Sequence, residues 1–273
     1  MIIREINAKS ILTKSNIPNV DLVVNPYIGC EHGCLYCYAE FMKRFTNHHE
    51  PWGSFIDIKI NSPNLVKPRG QYRDKRVLLS SVTDPYLPHE RKYKLTRNIL
   101  KKLVNHQPTI SILTKSELVS RDIDIMKKFH NIEVGISVST INIEYMKQLE
   151  PRASIPIRRF EALKKCKEAG LKTYVFISPI FPYITNLEEI MKLAVNFTDY
   201  FMFENLNVRP TNRKRIFNFV KNNHPELQKK YEQIYNRPQD NSYWDLLSIK
   251  IEDLSKKYKI ECVNCFHHGG FKK

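Results

Sequence analysis

The chain has 273 residues, 42% of them hydrophobic and 26% charged, and its 44 Lys and Arg outnumber 28 Asp and Glu for a formal net charge of +16. The start MIIREINAKS lacks the apolar core of a leader, no later apolar run approaches membrane-spanning length, and the six cysteines follow no disulfide-scaffold spacing. A reduced, cytoplasmic enzyme with no membrane partner is expected, and nucleic acid is a natural partner for the charge, although Lys is abundant throughout and the same surplus fits an ordinary solvated surface.

Strand and helix patterns alternate along the chain, which predicts an α/β fold with a parallel sheet wrapped by helices. The first strand is read over 22–28, LVVNPYI, and leads into IGCEHGCLYC. There Cys30, Cys34 and Cys37 are spaced CxxxCxxC. Three thiolates on one tight loop can hold three corners of an iron-sulfur cube, and with no fourth cysteine nearby one iron stays open to another ligand. His32 supplies the competing reading, a structural Cys3His zinc site. Zinc knuckles usually build a module of their own, however, whereas this loop opens a long series of strands and helices.

A helix is expected after Cys37, followed by strands beginning at Val77, Thr109, Glu133, Thr173 and Tyr200, with helices over 95–104, 121–129, 156–169, 187–197 and 214–222. Gly170 suits the C-cap of the fourth of these. Six units are too few for a closed eight-stranded barrel and point to a partial (β/α)6 barrel over 1–207, open on one side. In barrels the chemistry sits at the C-terminal strand ends. Those ends carry Cys30, Thr83 with Asp84, Lys115, Ser139, and Ser178 with Pro179.

Residues 208–273 are read as a helical extension packed on the barrel and ending in a CxxC tail. Its aromatics Tyr231, Tyr235, Tyr243 and Trp244 suit packing better than base stacking. Arg209, Arg213, Lys214 and Arg215 form a basic run. The tail KIECVNCFHHGGF places Cys262, Cys265, His267 and His268 close together. A Cys2His2 metal site, two ligands of a second cluster, a redox dithiol and plain structural residues all remain open. Cys166, mid-helix, reads as a small buried hydrophobe.

The cysteine spacing, with Tyr36 just before the last cysteine, resembles the signature of radical S-adenosylmethionine (SAM) enzymes. The segments NPYIGCEHGCLYCYAEF, SSVTDPYLPHERKYKLTR, ILTKSELVSRDIDIM and ISVSTINIEYMKQLEPRASIPIRRFEALKKCKEAGLKTYVFISPIFP extend the resemblance, over residues 25–207, to the spore photoproduct lyase-like family, also labelled DNA repair photolyase. That resemblance implies a radical SAM barrel. It implies a four-iron four-sulfur (4Fe-4S) cluster on Cys30, Cys34 and Cys37, and SAM cleaved by an electron from the cluster to a 5'-deoxyadenosyl radical. An external electron donor such as flavodoxin or ferredoxin is also implied.

Cofactor contacts implied by the resemblance fall on Tyr36, Thr83, Asp84, Lys115, Ser139 and Ser178, with Lys115 on the methionyl carboxylate and Arg159 as a second basic group. The lyase carries a hydrogen-donating cysteine where this chain has Ser81, whose O–H bond is too strong for that task. Cys262 or Cys265 is therefore expected near the cavity as a replacement donor. The competing function is a noncatalytic zinc or iron-sulfur protein that binds nucleic acid.

Overall fold

The computed structural model describes residues 1–68, 72–236 and 240–266. Its strands are β1 Ile2–Ile6, β2 Leu12–Lys14, β3 Leu22–Val24, β4 Tyr27–Ile28, β5 Phe55–Lys59, β6 Arg76–Leu79, β7 Thr109–Thr114, β8 Ile132–Val138, β9 Lys172–Ile180, β10 Tyr200–Asn205 and β11 Glu261–Asn264. The helices are α1 Glu90–Tyr93, α2 Leu95–Leu103, α3 Ile123–Met126, α4 Ile143–Leu149, α5 Pro156–Glu168, α6 Leu187–Ala194, α7 Pro210–Asn223, α8 Gln228–Tyr235 and α9 Ser242–Tyr258.

Eight strands form the main sheet in the order β11-β10-β9-β8-β7-β6-β3-β2. All its neighbours run parallel except β2, which pairs antiparallel with β3 and caps one edge. Six of the seven residues of β8 are buried, as a parallel strand covered on both faces requires. Gly135 within it makes room for Tyr174, since a Cβ there would stand 2.2 Å from that ring. Tyr174 also stacks on Tyr200 of the adjacent strand at 5.1 Å, and both rings line the barrel interior.

Helix boundaries follow local chemistry. Pro156 opens α5 within its first turn, where its missing N–H costs nothing. Gly170, at φ +84°, closes it with a hydrogen bond from its N–H to the Lys167 carbonyl at 2.9 Å. Asn142 and Asn186 cap α4 and α6 through their side-chain oxygens.

Several expectations need correction. The strand read over 22–28 is broken at Asn25 and Pro26, because Pro26 has no N–H for a ladder. Val23 continues the main sheet, while Tyr27 and Ile28 turn into a three-stranded sheet ordered β1-β5-β4. The helix after Cys37 is a 3-10 helix, Tyr38–Phe45. Residues 121–129 hold only the end of a 3-10 helix and the single turn α3.

The barrel sheet also does not stop at residue 207. After α7, α8 and α9 the chain returns as β11, a seventh parallel strand beside β10. In the intervening helices Tyr231 and Trp244 are buried, and Tyr231 Oη donates to the Pro182 carbonyl at 3.1 Å. Those aromatics are packing residues. Cys166 is fully buried in α5.

Candidate active site

The loop from Gly29 to Cys37 lies at the C-terminal strand ends and is gripped along its backbone. Thr83 Oγ1 donates to the Gly29 carbonyl at 2.6 Å, and Leu35 N to the Leu149 carbonyl at 2.8 Å. From α7, Asn212 Nδ2 donates to the Tyr36 carbonyl at 2.9 Å, and Arg215 Nε to the Leu35 carbonyl at 3.1 Å. Backbone meets backbone at Gly33 and Gly53: a Cβ on Gly53 would lie 2.6 Å from the Gly33 Cα. Arg152 donates to the carbonyls of Glu31 and Gly53, tying the two segments together.

The three thiols of this loop line one cavity of about 1660 Å³ in the barrel. Burial pushes each thiol up, Cys34 to about 12; at Cys30 the charges of Cys34 and Cys37 add to the effect, while at Cys34 and Cys37 the Lys115 ammonium works against it. Thiols raised in this way keep their protons at neutral pH, and a cationic group must displace those protons to bind. Among the described residues no three His, Cys, Asp or Glu side chains converge closely enough for a single metal ion. Thiols on one loop that feel each other without converging suit the corners of a cluster.

His32 does not complete a Cys3His set. Its Nε2 lies 3.2 Å from Asp84 Oδ2, and its Nδ1 lies 3.3 Å from the Arg152 carbonyl. Asp84 also receives Thr114 Oγ1 at 2.6 Å and the backbone N–H groups of Tyr86 and Lys115 at 2.8 Å each. Burial alone would raise this carboxyl, but His32 and the other donors hold it down at about 2. Asp84 thus locks the cysteine loop to the ends of β6 and β7.

Beneath the cavity sits Glu150, 1% exposed. It accepts from Tyr36 Oη, from Ser139 Oγ at 3.1 Å and from Arg159 Nη2. Arg159, 0% exposed, spends its other donors on the carbonyls of Ser137 at 2.7 Å and Ser154 at 2.6 Å. Two sequence candidates are redirected by this geometry. Ser139 and Arg159 do not line the cavity; both brace Glu150, which in turn anchors Tyr36.

Tyr36, Thr83, Asp84, Lys115 and Ser178 do reach the cavity. Lys115 Nζ donates to Ser137 Oγ at 2.9 Å, and Ser137 Oγ donates to the Ser178 carbonyl at 2.9 Å. Burial works against the Lys115 ammonium, yet Glu150 and Cys34 outweigh it and its pKa stands above the ordinary value. Ser178 Oγ donates to Glu204 Oε2 at 2.7 Å. Ser137 and Glu204 were missed in the sequence, since strand-face polarity alone does not show which side chains share a cavity, and Glu150 and Asn212 were missed because their partners Tyr36 and Arg159 are brought to them only by folding. Ser81 also lines it.

The tail cysteines separate. The alternate positions Glu261 and Val263 of β11 and Cys265, the residue just after it, line the cavity. Cys262 and Asn264 face the other way, where Asn264 Nδ2 donates to Ser248 Oγ of α9 at 2.9 Å. His267 and His268 lie outside the described residues. Two members of the basic run are committed, Arg215 pairing with Glu40 at 2.6 Å and Arg213 bonding Asn236 Oδ1 at 2.5 Å, whereas Arg209 lines the cavity and Lys214 is exposed.

The sequence profile of the Radical SAM superfamily matches residues 24–194. The chain belongs to that superfamily. Radical SAM enzymes of this kind carry a 4Fe-4S cluster and SAM, and the three-thiol loop fits the first of these. An uncharacterized protein of Methanocaldococcus jannaschii is 38% identical over 255 residues, 93% of this chain and 95% of that one. Spore photoproduct lyase of Clostridium acetobutylicum is 26% identical over 180 residues, 61% of this chain and 49% of the lyase. In three dimensions a mutant spore photoproduct lyase superposes with a TM-score of 0.72 at 14% identity, over 97% of this chain and 82% of the other. That likeness establishes a shared radical SAM fold.

Proposed function

We propose that this radical SAM enzyme holds a 4Fe-4S cluster on Cys30, Cys34 and Cys37, binds SAM across Lys115 and Ser178, and acts on a nucleic-acid base or lesion in the barrel. The observation that carries the reading is one cavity shared by the three thiols, the Lys115 ammonium and the Cys265 thiol. When bound, the cluster supplies the electron that cleaves SAM to a 5'-deoxyadenosyl radical.

The chain's own residues bind and orient. Lys115, held by Ser137, pairs with the SAM carboxylate. Ser178 and Glu204 offer hydroxyl and carboxylate oxygens for sugar hydroxyls. Burial excludes water from the thiol loop and strengthens these contacts. Cys265, whose thiol burial pushes up to about 11, keeps its hydrogen at neutral pH and can give a hydrogen atom to a substrate radical. The thiyl radical left on sulfur then needs an electron, from the cluster's external donor, a flavodoxin or ferredoxin, and a proton from solvent to restore the thiol.

The +16 charge, the size of the cavity and the family likeness to a lyase of spore photoproduct support the nucleic-acid reading and a role in DNA repair. The chain has no helix, among the described residues, long and apolar enough to cross a membrane, which suits action on nucleic acid in the cytoplasm. Anaerobic reconstitution, reduction and SAM should yield 5'-deoxyadenosine, and alanine at Cys30, Cys34 or Cys37 should abolish it with loss of iron. Oligonucleotides deuterated in sugar or base should pass deuterium into 5'-deoxyadenosine. Absence of cleavage by iron-loaded protein refutes the enzyme reading; cleavage without transfer from any nucleic acid refutes the substrate.

A further inference from the structure

The Gly33 and Gly53 contact seats the turn at 51–53 directly on the cysteine loop. Trp52 in that turn is 9% exposed and packs edge-on against Phe55 at 5.8 Å and 85°. Its ring belongs to the apolar cluster that also contains Cys30 and Ala39, with Cys37 packed against it. The indole Nε1 is buried and has no hydrogen-bond partner among the described residues. The Cys37 sulfur packs against this same cluster, and the indole N–H acts on it electrostatically.

A buried donor without a partner is disfavoured, so its placement beside one cluster ligand needs a reason. A thiol accepts weakly, whereas a thiolate accepts a charge-assisted hydrogen bond. We infer that the Trp52 indole N–H donates to the Cys37 thiolate in the iron-loaded enzyme and raises the reduction potential of the cluster.

This inference rests on the cluster reading above and deepens it. The reduced cluster carries one more negative charge than the oxidised one, and the positive end of the N–H dipole stabilises the more negative form. Hydrogen bonds to cluster sulfurs are among the levers that set potential, and the dry surroundings magnify this one. Trp52 is a positioning and tuning residue, not a catalytic one.

Trp52→Phe keeps an aromatic ring against Phe55 and removes only the N–H. In the reconstituted holoenzyme, iron content should match the parent, while an EPR-monitored redox titration should show the midpoint shifted to more negative potential. SAM cleavage should slow with a weak reductant and recover with excess strong reductant. An unchanged midpoint at equal iron loading overturns the inference. A protein that binds no iron before any substitution would instead overturn the cluster reading.

Should the variant fold poorly, the unsubstituted holoenzyme carrying 15N-indole tryptophan provides an independent measurement. Pulsed EPR of its reduced cluster should detect one coupled indole 15N, and the coupling should persist in Trp244→Phe. A spectrum with no indole coupling rejects the Trp52 contact.

Discussion

Asn212 Nδ2 donates to the Tyr36 carbonyl at 2.9 Å across 176 residues of sequence. The same side chain reaches the Asn207 carbonyl at 3.1 Å and accepts from Arg209 N at 2.8 Å. Helix α7 therefore does more than cover the barrel: it fixes the turn between Tyr36 and Cys37. Removing this buried amide strands those carbonyls, at about 1–3 kcal/mol. Asn212→Ala should lower the melting temperature and release iron faster to a chelator, measured by iron content after timed exposure.

The Glu150 and Arg159 pair is wholly enclosed, so either charge alone is costly. Arg159→Met should destabilise the fold by about 3–5 kcal/mol in a urea titration, and adding Glu150→Leu should recover part of that loss. Additive losses in the double variant would mean that the two side chains are not coupled.

Lys115 tests cofactor binding without touching the thiols. Lys115→Ala should weaken SAM binding about tenfold or more, the scale of one charge-assisted contact, with iron content unchanged. Calorimetric titration of the reconstituted protein gives the affinity, and an unchanged value would assign Lys115 to bracing Ser137.

Acid stability should report on Asp84. Its carboxyl lies at about 2 in the fold against 3.8 ordinarily. A depressed carboxyl contributes stability that is present above pH 4 and is lost as pH falls through 2. The contribution is on the order of 2 kcal/mol. Asp84→Asn should lower stability at neutral pH and flatten the decline between pH 4 and 2, followed by urea midpoints across that range.

Cys265 and Cys262 should behave differently because they occupy opposite faces of β11. Cys265→Ala should leave 5'-deoxyadenosine formation intact and remove solvent deuterium from the substrate-derived product, whereas Cys262→Ala should change neither. Mass spectrometry of products formed in D2O reads the difference; equal labelling in both variants would exclude the Cys265 thiol as donor.

The cysteine loop, the alternating strands and the Gly170 cap were legible from sequence because each depends on neighbours a few residues away: thiol spacing, side-chain periodicity and a positive φ. Lys115 and Ser178 were found by the strand-end rule for the same reason. The period of two along ECVNC also implies that Cys262 and Cys265 face opposite ways once a strand is assumed, but only pairing with β10 makes that segment a strand and turns Cys265 inward. Arg159 looked like a candidate for the cofactor until folding set it against Glu150. Long-range partners such as Asn212 with Tyr36, and Gly53 with Gly33, were decided by the tertiary structure alone, since burial and contact between distant segments arise from packing that no local pattern records.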